Sequence, residues 1–145
     1  INRMSQLKII FVLVLMCLFS ISSFGQVGIN RTMPLSTLDI NGNLSLKSVV
    51  LVGSAAPTLI DDGVYISLQP LITDQEFRLP NAVDFPGRVY VLRNIQNTIT
   101  ARLTTAGGLL FPKTSTTGST DVYMYEGNNR SLIVISDGIN WTYFN

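Results

Sequence analysis

The C-terminal stretch Ser131-Leu-Ile-Val-Ile-Ser-Asp-Gly-Ile-Asn-Trp-Thr-Tyr-Phe-Asn145 decides the fold. Its two apolar runs flank Asp137-Gly138, a pair preferred in tight hairpins because both central residues of a type I′ turn need positive φ. With those two residues as the whole loop, Val134 faces Trp141, whereas a four-residue loop would change the partners. Both faces of this ribbon carry apolar side chains, so it must lie inside a larger β structure or against another chain.

The same alternation sorts the hairpin side chains into two faces. One face carries Leu132, Val134, Ser136, Ile139, Trp141 and Tyr143. The other carries Ile133, Ile135, Asn140, Thr142 and Phe144.

Short strand-like segments recur along the chain at intervals of about 8–12 residues. They are Ser48–Val52, Val64–Leu68, Gln75–Leu79, Arg88–Ile95, Thr98–Thr104, Leu109–Phe111 and Asp121–Glu126. Asn94 to Asn97 is expected to connect two of them as neighbours, and no window of useful length shows a helical 3.6-residue period. The expected fold is all-β: an antiparallel sandwich or prism-like knob behind a short β leader and an N-terminal signal helix.

Residues 1–25 have the pattern of an export signal. Lys8 supplies positive charge, an unbroken run of 11 apolar residues follows at positions 9–19, and small residues lead to an expected cleavage between Gly25 and Gln26. The alternative, a membrane anchor, needs about 20 apolar residues, more than this run provides. We therefore expect a secreted protein or one on the outer surface of a Gram-negative cell, with the periplasm as the alternative and membrane contact only through an uncleaved signal.

The composition excludes several kinds of site. The 145 residues include no His, and the single Cys, Cys17, lies in the N-terminal apolar run. Zinc sites of Cys and His, Ser-His-Asp triads and thiol catalysis are therefore not expected, and no cofactor or metal is expected. Basic residues are scattered singly, so no nucleic-acid partner is expected, and loss of residues 1–25 would leave eight basic against nine acidic residues.

The expected division of the processed chain is a β leader at residues 26–52 and a knob at residues 53–145. Gly53-Ser-Ala-Ala-Pro57 breaks the strand pattern and marks the boundary. Leu38 and Ile40 alternate with polar residues, and an Asn41-Gly42 turn is expected to close that strand. With too few apolar side chains for a core of its own, the leader is either flexible or pairs with copies of itself.

The leader contains the first of two family resemblances. Val27-Gly-Ile-Asn30, Pro34 and Thr37-Leu-Asp-Ile-Asn-Gly-Asn-Leu44 resemble the "VGIGT-x-x-P-x-x-x-LDV-x-G" element of phage tail-fibre proteins and exported fibre-like proteins of Bacteroidetes-type bacteria. Asp39 and Gly42 match that element, whereas Asn30 and Arg31 replace its small residues. The resemblance implies an intertwined, trimeric β stalk.

The second resemblance covers residues 77–144. Leu79-Pro80, Gly87-Arg-Val-Tyr-Val-Leu-Arg-Asn94, Gly107-Gly108 and Ser136-Asp-Gly-Ile-Asn-Trp141 occur in the order of the "LP…G-x-x-Y-x-V-x-N…SDG-x-N-W" module near the ends of phage fibres. It departs at Leu109-Leu-Phe-Pro112, where related chains often carry "IDG". The resemblance gives Gly87, Asn94, Asp137, Gly138 and Trp141 turn or structural roles.

Two acidic pairs are weighed as sites. Asp61-Asp62 lacks the alternating Asp spacing of a calcium loop and is interpreted as a turn. Asp74 and Glu76 offer the two carboxylates that glycoside hydrolysis requires, but no cleft signature accompanies them, and a solvated strand edge is the preferred interpretation.

The aromatic residues are the remaining ligand candidates. Trp141 is expected in the core, because the hairpin pairs it with Val134. Tyr123 and Tyr125 could bind a sugar, or could lie at an edge or interface where their polar tips are hydrated. Asn43 and Asn140 match the glycosylation pattern, which we attribute to chance in a bacterial export context.

These observations predict an exported, non-catalytic structural or adhesive protein resembling a tail-fibre tip, assembled as a homotrimer. A surface glycan or protein receptor is its expected ligand. The alternative is a monomeric, lectin-like β-sandwich that binds carbohydrate through Tyr123 and Tyr125. A hydrolase using Asp74 and Glu76 is the third hypothesis.

Overall fold

A computed structural model describes residues 2–18, 27–30, 32–33, 36–127 and 129–145. Apart from one N-terminal helix, the regular structure is β, so the expected class is confirmed. The chain divides into two compact units between Leu44 and Ser45.

The first unit contains one helix and one small sheet. Helix α1, Arg3–Leu18, is rich in apolar residues. Strand β1, Val27–Ile29, pairs in parallel with β2, Leu38–Ile40. Within the described residues no helix has the length and hydropathy needed to span a membrane. The expected cleavage site between residues 25 and 26 lies outside the described residues.

The second unit has ten strands among its described residues. They are β3 Ser48–Val52, β4 Thr58–Leu59, β5 Tyr65–Gln69, β6 Gln75–Asn81, β7 Val89–Asn94, β8 Ala101–Gly107, β9 Leu110–Pro112, β10 Asp121–Met124, β11 Ser131–Ser136 and β12 Trp141–Phe144. A single 3-10 turn, Ala82–Asp84, follows β6. The six-stranded sheet has the order β3-β5-β7-β11-β12-β9, and the four-stranded sheet has the order β10-β8-β6-β4.

From β3 to β8 the chain winds between the two sheets. Each of β5, β6, β7 and β8 pairs in parallel with the strand two places earlier. The expectation of an antiparallel knob is therefore wrong for this half of the unit. Residues 94–97 do not join two neighbouring strands as expected, since β7 and β8 belong to different sheets. Parallel neighbours need a long crossover, and here a strand of the opposite sheet provides it where many folds use a helix.

Antiparallel pairing is confined to the C-terminal strands. β11 lies between β7 and β12, and β10 closes the four-stranded sheet against β8. Ser136 pairs with Trp141 and Val134 with Tyr143, so the loop has four residues and the two-residue loop is wrong. Because the register differs by two positions, the side chains of the paired strands keep their expected faces, whereas Ile139, expected opposite Ser136, lies in the loop and is 68% exposed.

One buried cluster lies between the sheets. The six-stranded sheet contributes Ile66, Leu68, Tyr90, Leu92, Leu132, Val134, Leu110 and Trp141, and the four-stranded sheet contributes Phe77, Leu79, Ala101, Leu103, Val122 and Met124. Trp141 is fully buried, as expected, although its partner is Ser136 and not Val134, and its ring centroid lies 5.8 Å from that of Tyr90. Burial of a large apolar side chain contributes roughly 1.5–3 kcal/mol, so this cluster is the main source of stability.

The boundary between the units lies before β3, earlier than the expected boundary at residues 52 and 53. Val49 and Leu51 of β3 pack against the core of the second unit. Their partners across the ladder are Ile66 and Leu68 of β5. Since alternate β3 side chains join the core, this strand is part of the knob.

Candidate functional site

The pieces of the second sequence element converge at one end of the knob. The Trp141 indole donates its Nε1–H to the Pro80 carbonyl over 3.1 Å, and the Ser136 hydroxyl donates to the Ala82 carbonyl over 2.9 Å. Gly87 has a φ of 76° in a turn closed by Arg88 and donates its amide to the Ser136 carbonyl. These contacts join β6 and the 3-10 turn to β11, β12 and the turn before β7, so the spacing of this element serves packing.

The hairpin loop is held by the Asp137 carboxylate. Its Oδ1 accepts the amides of Ile139 at 2.8 Å and Asn140 at 2.7 Å. These backbone bonds hold the pKa of Asp137 below its ordinary value of 3.8. Gly138 has a φ of 90°, a conformation that glycine adopts without strain. The expected turn roles of Asp137 and Gly138 thus have a direct geometric basis.

Asn94 is a buried structural residue at the end of β7. Its Nδ2 donates to the carbonyls of Ile99 at 2.8 Å and Met124 at 2.9 Å, and its Oδ1 accepts the Gln96 amide at 3.0 Å. A buried amide with all of these bonds made connects strands of both sheets without an unsatisfied group. Asn94 therefore links the sheets and leaves no amide group for a ligand.

The outer surface of the six-stranded sheet, here named the apolar face, is the largest departure from an ordinary surface. One row crosses five strands through Ser48, Tyr65, Val91, Ile133 and Phe144. A second row runs through Val89, Ile135, Thr142 and Phe111. Large apolar groups in these rows remain open to solvent, with Ile133 45% and Phe144 39% exposed.

The same face continues to the edge strand β3. Val50 and Val52 of β3 are 57% and 50% exposed, but the row that begins at Val50 continues through Ser67, Arg93 and Ser131 and is polar. At the other side, Val91, Ile133 and Phe144 line a shallow hollow of about 240 Å³. Contiguous exposed apolar surface of this kind marks a site of interaction with another protein surface.

The outer surface of the four-stranded sheet, here named the polar face, has the opposite chemistry. Glu76 accepts hydrogen bonds from Arg78 at 2.7 Å, from Arg102 at 3.0 Å and from Thr104 at 2.8 Å. Partial burial would raise the pKa of Glu76, but the bonds from Thr104 and Arg78 and the charge of Arg102 outweigh it and hold that pKa below its ordinary value of 4.5. Both carboxylate oxygens of Glu76 are therefore engaged by the protein.

Asp74 lies beside Glu76 in an open cleft of about 220 Å³ that Pro57 and Arg102 also line. Asp74 is exposed, as a solvated edge predicts, whereas the Glu76 side chain is only 17% exposed. A glycosidase needs one carboxyl that donates a proton and one that attacks or activates water. Glu76 is ill suited to either role, because its cationic partners stabilise the carboxylate and occupy its oxygens.

Tyr123 of β10 and Tyr125, which follows that strand directly, project on the polar face. Their ring centroids are 6.2 Å apart with an interplanar angle of 25°, and Tyr125 is 48% exposed. Tyr123 lies opposite Arg102 in the ladder. Their inward neighbours Val122 and Met124 are buried, so the strand has the two-sided pattern that its alternation predicted. The pair forms a small aromatic surface beside charged groups.

Asp61 and Asp62 belong to a turn. Asp62 forms a salt bridge with Lys47 and accepts the Gly63 amide at 2.8 Å. The hydrogen bond from Lys47, together with that amide, lowers the pKa of Asp62. Among the described residues no group of three or more Cys, Asp or Glu side chains could hold a metal ion.

The structure agrees with some of the expectations for the leader residues and adds a strand pairing that was not expected. Asn30, which replaces a small residue of the fibre element, has a φ of 58°, a conformation that Asn tolerates. Asp39 lies at the centre of β2 opposite Gly28. Gly42 lies in a bend that follows β2, as the expected Asn41-Gly42 turn predicts, and residues 43–47 form no strand. β2 pairs with β1, an arrangement that the turn signal did not indicate.

The sequence did not reveal two features of these surfaces. One is the set of cations and hydroxyls around Glu76, which comes from residues on different strands. The other is the pairing of strands that aligns apolar residues into rows on one face. Glu76-Phe-Arg78 and Arg102-Leu-Thr104 do share a polar-apolar-polar pattern that could have indicated the first.

Comparison with known proteins adds no relative, since no family description, curated protein or solved structure matches this chain.

Proposed function

We propose that this chain is an exported, non-catalytic structural protein that assembles as a homotrimer and contributes to surface attachment. The observation that carries the proposal is the apolar face, whose rows include Val91, Ile133 and Phe144. Exposed apolar area of this extent is unfavourable in water and becomes favourable when another protein surface covers it. Identical copies are the covering surface that is always present.

The leader supports the same proposal. β1 and β2 form a sheet of only three paired positions, and Val27, Ile29 and Leu38 are each more than half exposed. An isolated two-stranded sheet is marginal in water, so further strands are needed to stabilise it. The fibre-like element at residues 27–46 implies that these strands come from two further copies.

The finer architecture belongs to this proposal. In the assembly, each knob contributes its two sheets to a prism-like arrangement, with the apolar faces turned towards neighbouring copies. The polar face, with Glu76 and Arg102, remains in solvent. The sequence contributes no His and no Cys beyond the N-terminal run, so attachment rather than chemistry is the role that its residues support.

A mass measurement tests the assembly. Residues 26–145, which include every described strand, are purified and measured by sedimentation equilibrium across micromolar concentrations. We expect a trimer. A mass of one chain throughout that range would overturn the proposal.

A second candidate, a monomeric carbohydrate-binding module, is favoured by the Tyr123–Tyr125 pair. Flat aromatic rings pack against the apolar faces of sugars, and Arg102 would offer a hydrogen-bond donor beside them. This candidate predicts saturable binding on a glycan array, lost in Tyr125→Ala while the melting temperature is unchanged. No binding on the array would remove it.

A further inference from the structure

The four edge strands of the two knob sheets differ in how well they are protected from pairing with other chains. β9 has three residues and ends at Pro112, β4 has two residues and follows Pro57, and β10 has four residues and begins with Asp121. Shortness, proline and charge are the usual means by which proteins prevent edge strands from pairing with other chains. β3 has five residues, Ser48-Val-Val-Leu-Val52, with neither proline nor charge.

The backbone of β3 also has free pairing capacity. At its two ends, the Lys47 carbonyl accepts the Tyr65 amide at 3.2 Å and the Gly53 amide donates to the Gln69 carbonyl at 2.9 Å. Because alternate residues of a strand direct their backbone groups to the same side, Val49 and Leu51 bond to β5. Ser48, Val50 and Val52 direct theirs away, and among the described residues no strand pairs with that side.

The area of the apolar face shows why this edge matters. Six strands about 4.8 Å apart and about five residues long cover roughly 450 Å² per copy, so a pair of such faces buries about 900 Å², below the ~1,200 Å² of a stable specific interface. A strand added beside β3 would extend the face across the seam at Val50 and Val52. A free peptide paired with the five-residue strand β3 would bring no further apolar surface to cover the face, whereas a second copy of the chain would.

We infer that the β3 edge, Ser48–Val52, accepts an extended strand from a neighbouring copy of this chain by β-strand addition. This inference rests on the proposed self-assembly and identifies its seam. The incoming strand is uncharged and alternates apolar side chains, so that its outward residues lie beside the exposed side chains of Val50 and Val52. Because the other three edges of the knob are protected, the incoming strand is the uncharged β1, Val27–Ile29, of the neighbouring copy, and a trimer built in this way uses a head-to-tail contact in which each copy presents β3 to one neighbour.

Val50 allows a matched test on residues 26–145. Val50→Pro removes an amide that points to the open edge and leaves the ladder bonds of Val49 and Leu51 to β5 intact. Val50→Thr keeps the amide and the β-branched shape. In sedimentation equilibrium we expect Val50→Pro to weaken assembly at least about tenfold, equivalent to about 1.4 kcal/mol, and Val50→Thr to assemble like the unaltered chain. Equal assembly of all three proteins would overturn the inference.

Amide hydrogen exchange on the unaltered protein supplies a second readout that does not depend on a variant folding. The amides of Ser48, Val50 and Val52 are expected to be protected while the protein is assembled and to lose protection on dilution. A trimer with these amides unprotected would overturn the strand addition and leave the proposed function standing. A protein that is monomeric at every concentration would overturn both.

Discussion

The apolar face and the polar face are the two outer surfaces of sheets that share one core, yet they solve the problem of contact with water differently. On the polar face, outward positions carry Glu76, Arg78 and Arg102, which neutralise one another in a hydrogen-bonded network. On the apolar face, the equivalent outward positions carry Val91 and Ile133, and the polar pair Arg93 and Ser131 lies at one end of the same strands. The polar face is compatible with a permanent aqueous boundary, and the apolar face is stable only if something covers it.

The difference shows that alternation along a strand determines which side chains face inward, but not whether the outward side chains are polar. In β6 the apolar residues Phe77 and Leu79 are buried, and the residues that alternate with them, Glu76, Arg78 and Pro80, are half-buried. In β11 the inward and outward residues are both apolar. A strand that is apolar on both sides has two surfaces to cover, and the core of the knob covers only one.

The largest expected effect separates the inward from the outward side of β12. Trp141→Ala removes a fully buried ring together with its bond to Pro80 and should lower the free energy of unfolding by about 3–5 kcal/mol. Phe144→Ala, on the apolar face of the same strand, should change the stability of the dissociated chain by less than about 1 kcal/mol. Chemical denaturation of both variants at low protein concentration measures the two values. Equal losses of unfolding free energy in the two variants would mean that the two sides of β12 contribute equally to the core.

The second-largest effect is a change in assembly caused by placing a charge on one face or the other. Ile133→Lys puts a cation in the centre of the apolar face and should convert the assembly to monomers without lowering the melting temperature of the isolated chain. Ala106→Lys, at an exposed position of β8 in the four-stranded sheet, is the matched control and should leave assembly unchanged. Sedimentation equilibrium provides the comparison, and dissociation by Ala106→Lys alone would reverse the assignment of the faces.

The smallest effect concerns pH and the polar face. The folded-state pKa of Glu76 lies below 4.5, so its bonds stabilise the fold fully above that pH and are lost as pH falls through the lower folded value. Because Arg78 and Arg102 are more than one third exposed, we expect the contribution to be under about 1 kcal/mol.

Thermal unfolding of the unaltered chain and Glu76→Gln between pH 7 and pH 3 measures this contribution. Glu76→Gln should be slightly less stable at pH 7, and the difference should vanish towards pH 3. A difference that is constant with pH would show that the carboxylate charge is not the cause.

Much of the fold could be predicted from the sequence because alternation is a local property. The faces of the C-terminal hairpin, the burial of Trp141 and the strands near residues 48–52 and 121–124 all follow from side-chain order. Gly138 has the positive φ that its type predicts, whereas Asp137 has none and holds the turn through its carboxylate. These features depend on neighbours within a few positions.

Sheet membership could not be predicted in the same way. The turn signals at Gly53 to Pro57 and Asp61 to Gly63 suit a hairpin and a crossover equally well, and only the burial of both sheets against one core selects the crossover. The pairing of β1 with β2 likewise joins residues separated by a loop. The ion-pair network at Glu76 depends on that topology, because parallel pairing of β6 with β8 aligns Glu76 with Arg102.

Hydroxyl-radical footprinting by mass spectrometry on assembled residues 26–145 tests the central claim most directly. Phe144 on the apolar face and Tyr125, directly after β10, are comparably exposed in the single chain, at 39% and 48%. With Ile133→Lys as the dissociated reference, we predict that Phe144 is protected from oxidation in the unaltered protein and Tyr125 is not. Oxidation of Phe144 to the same extent in both proteins would contradict the claim that other copies cover the apolar face.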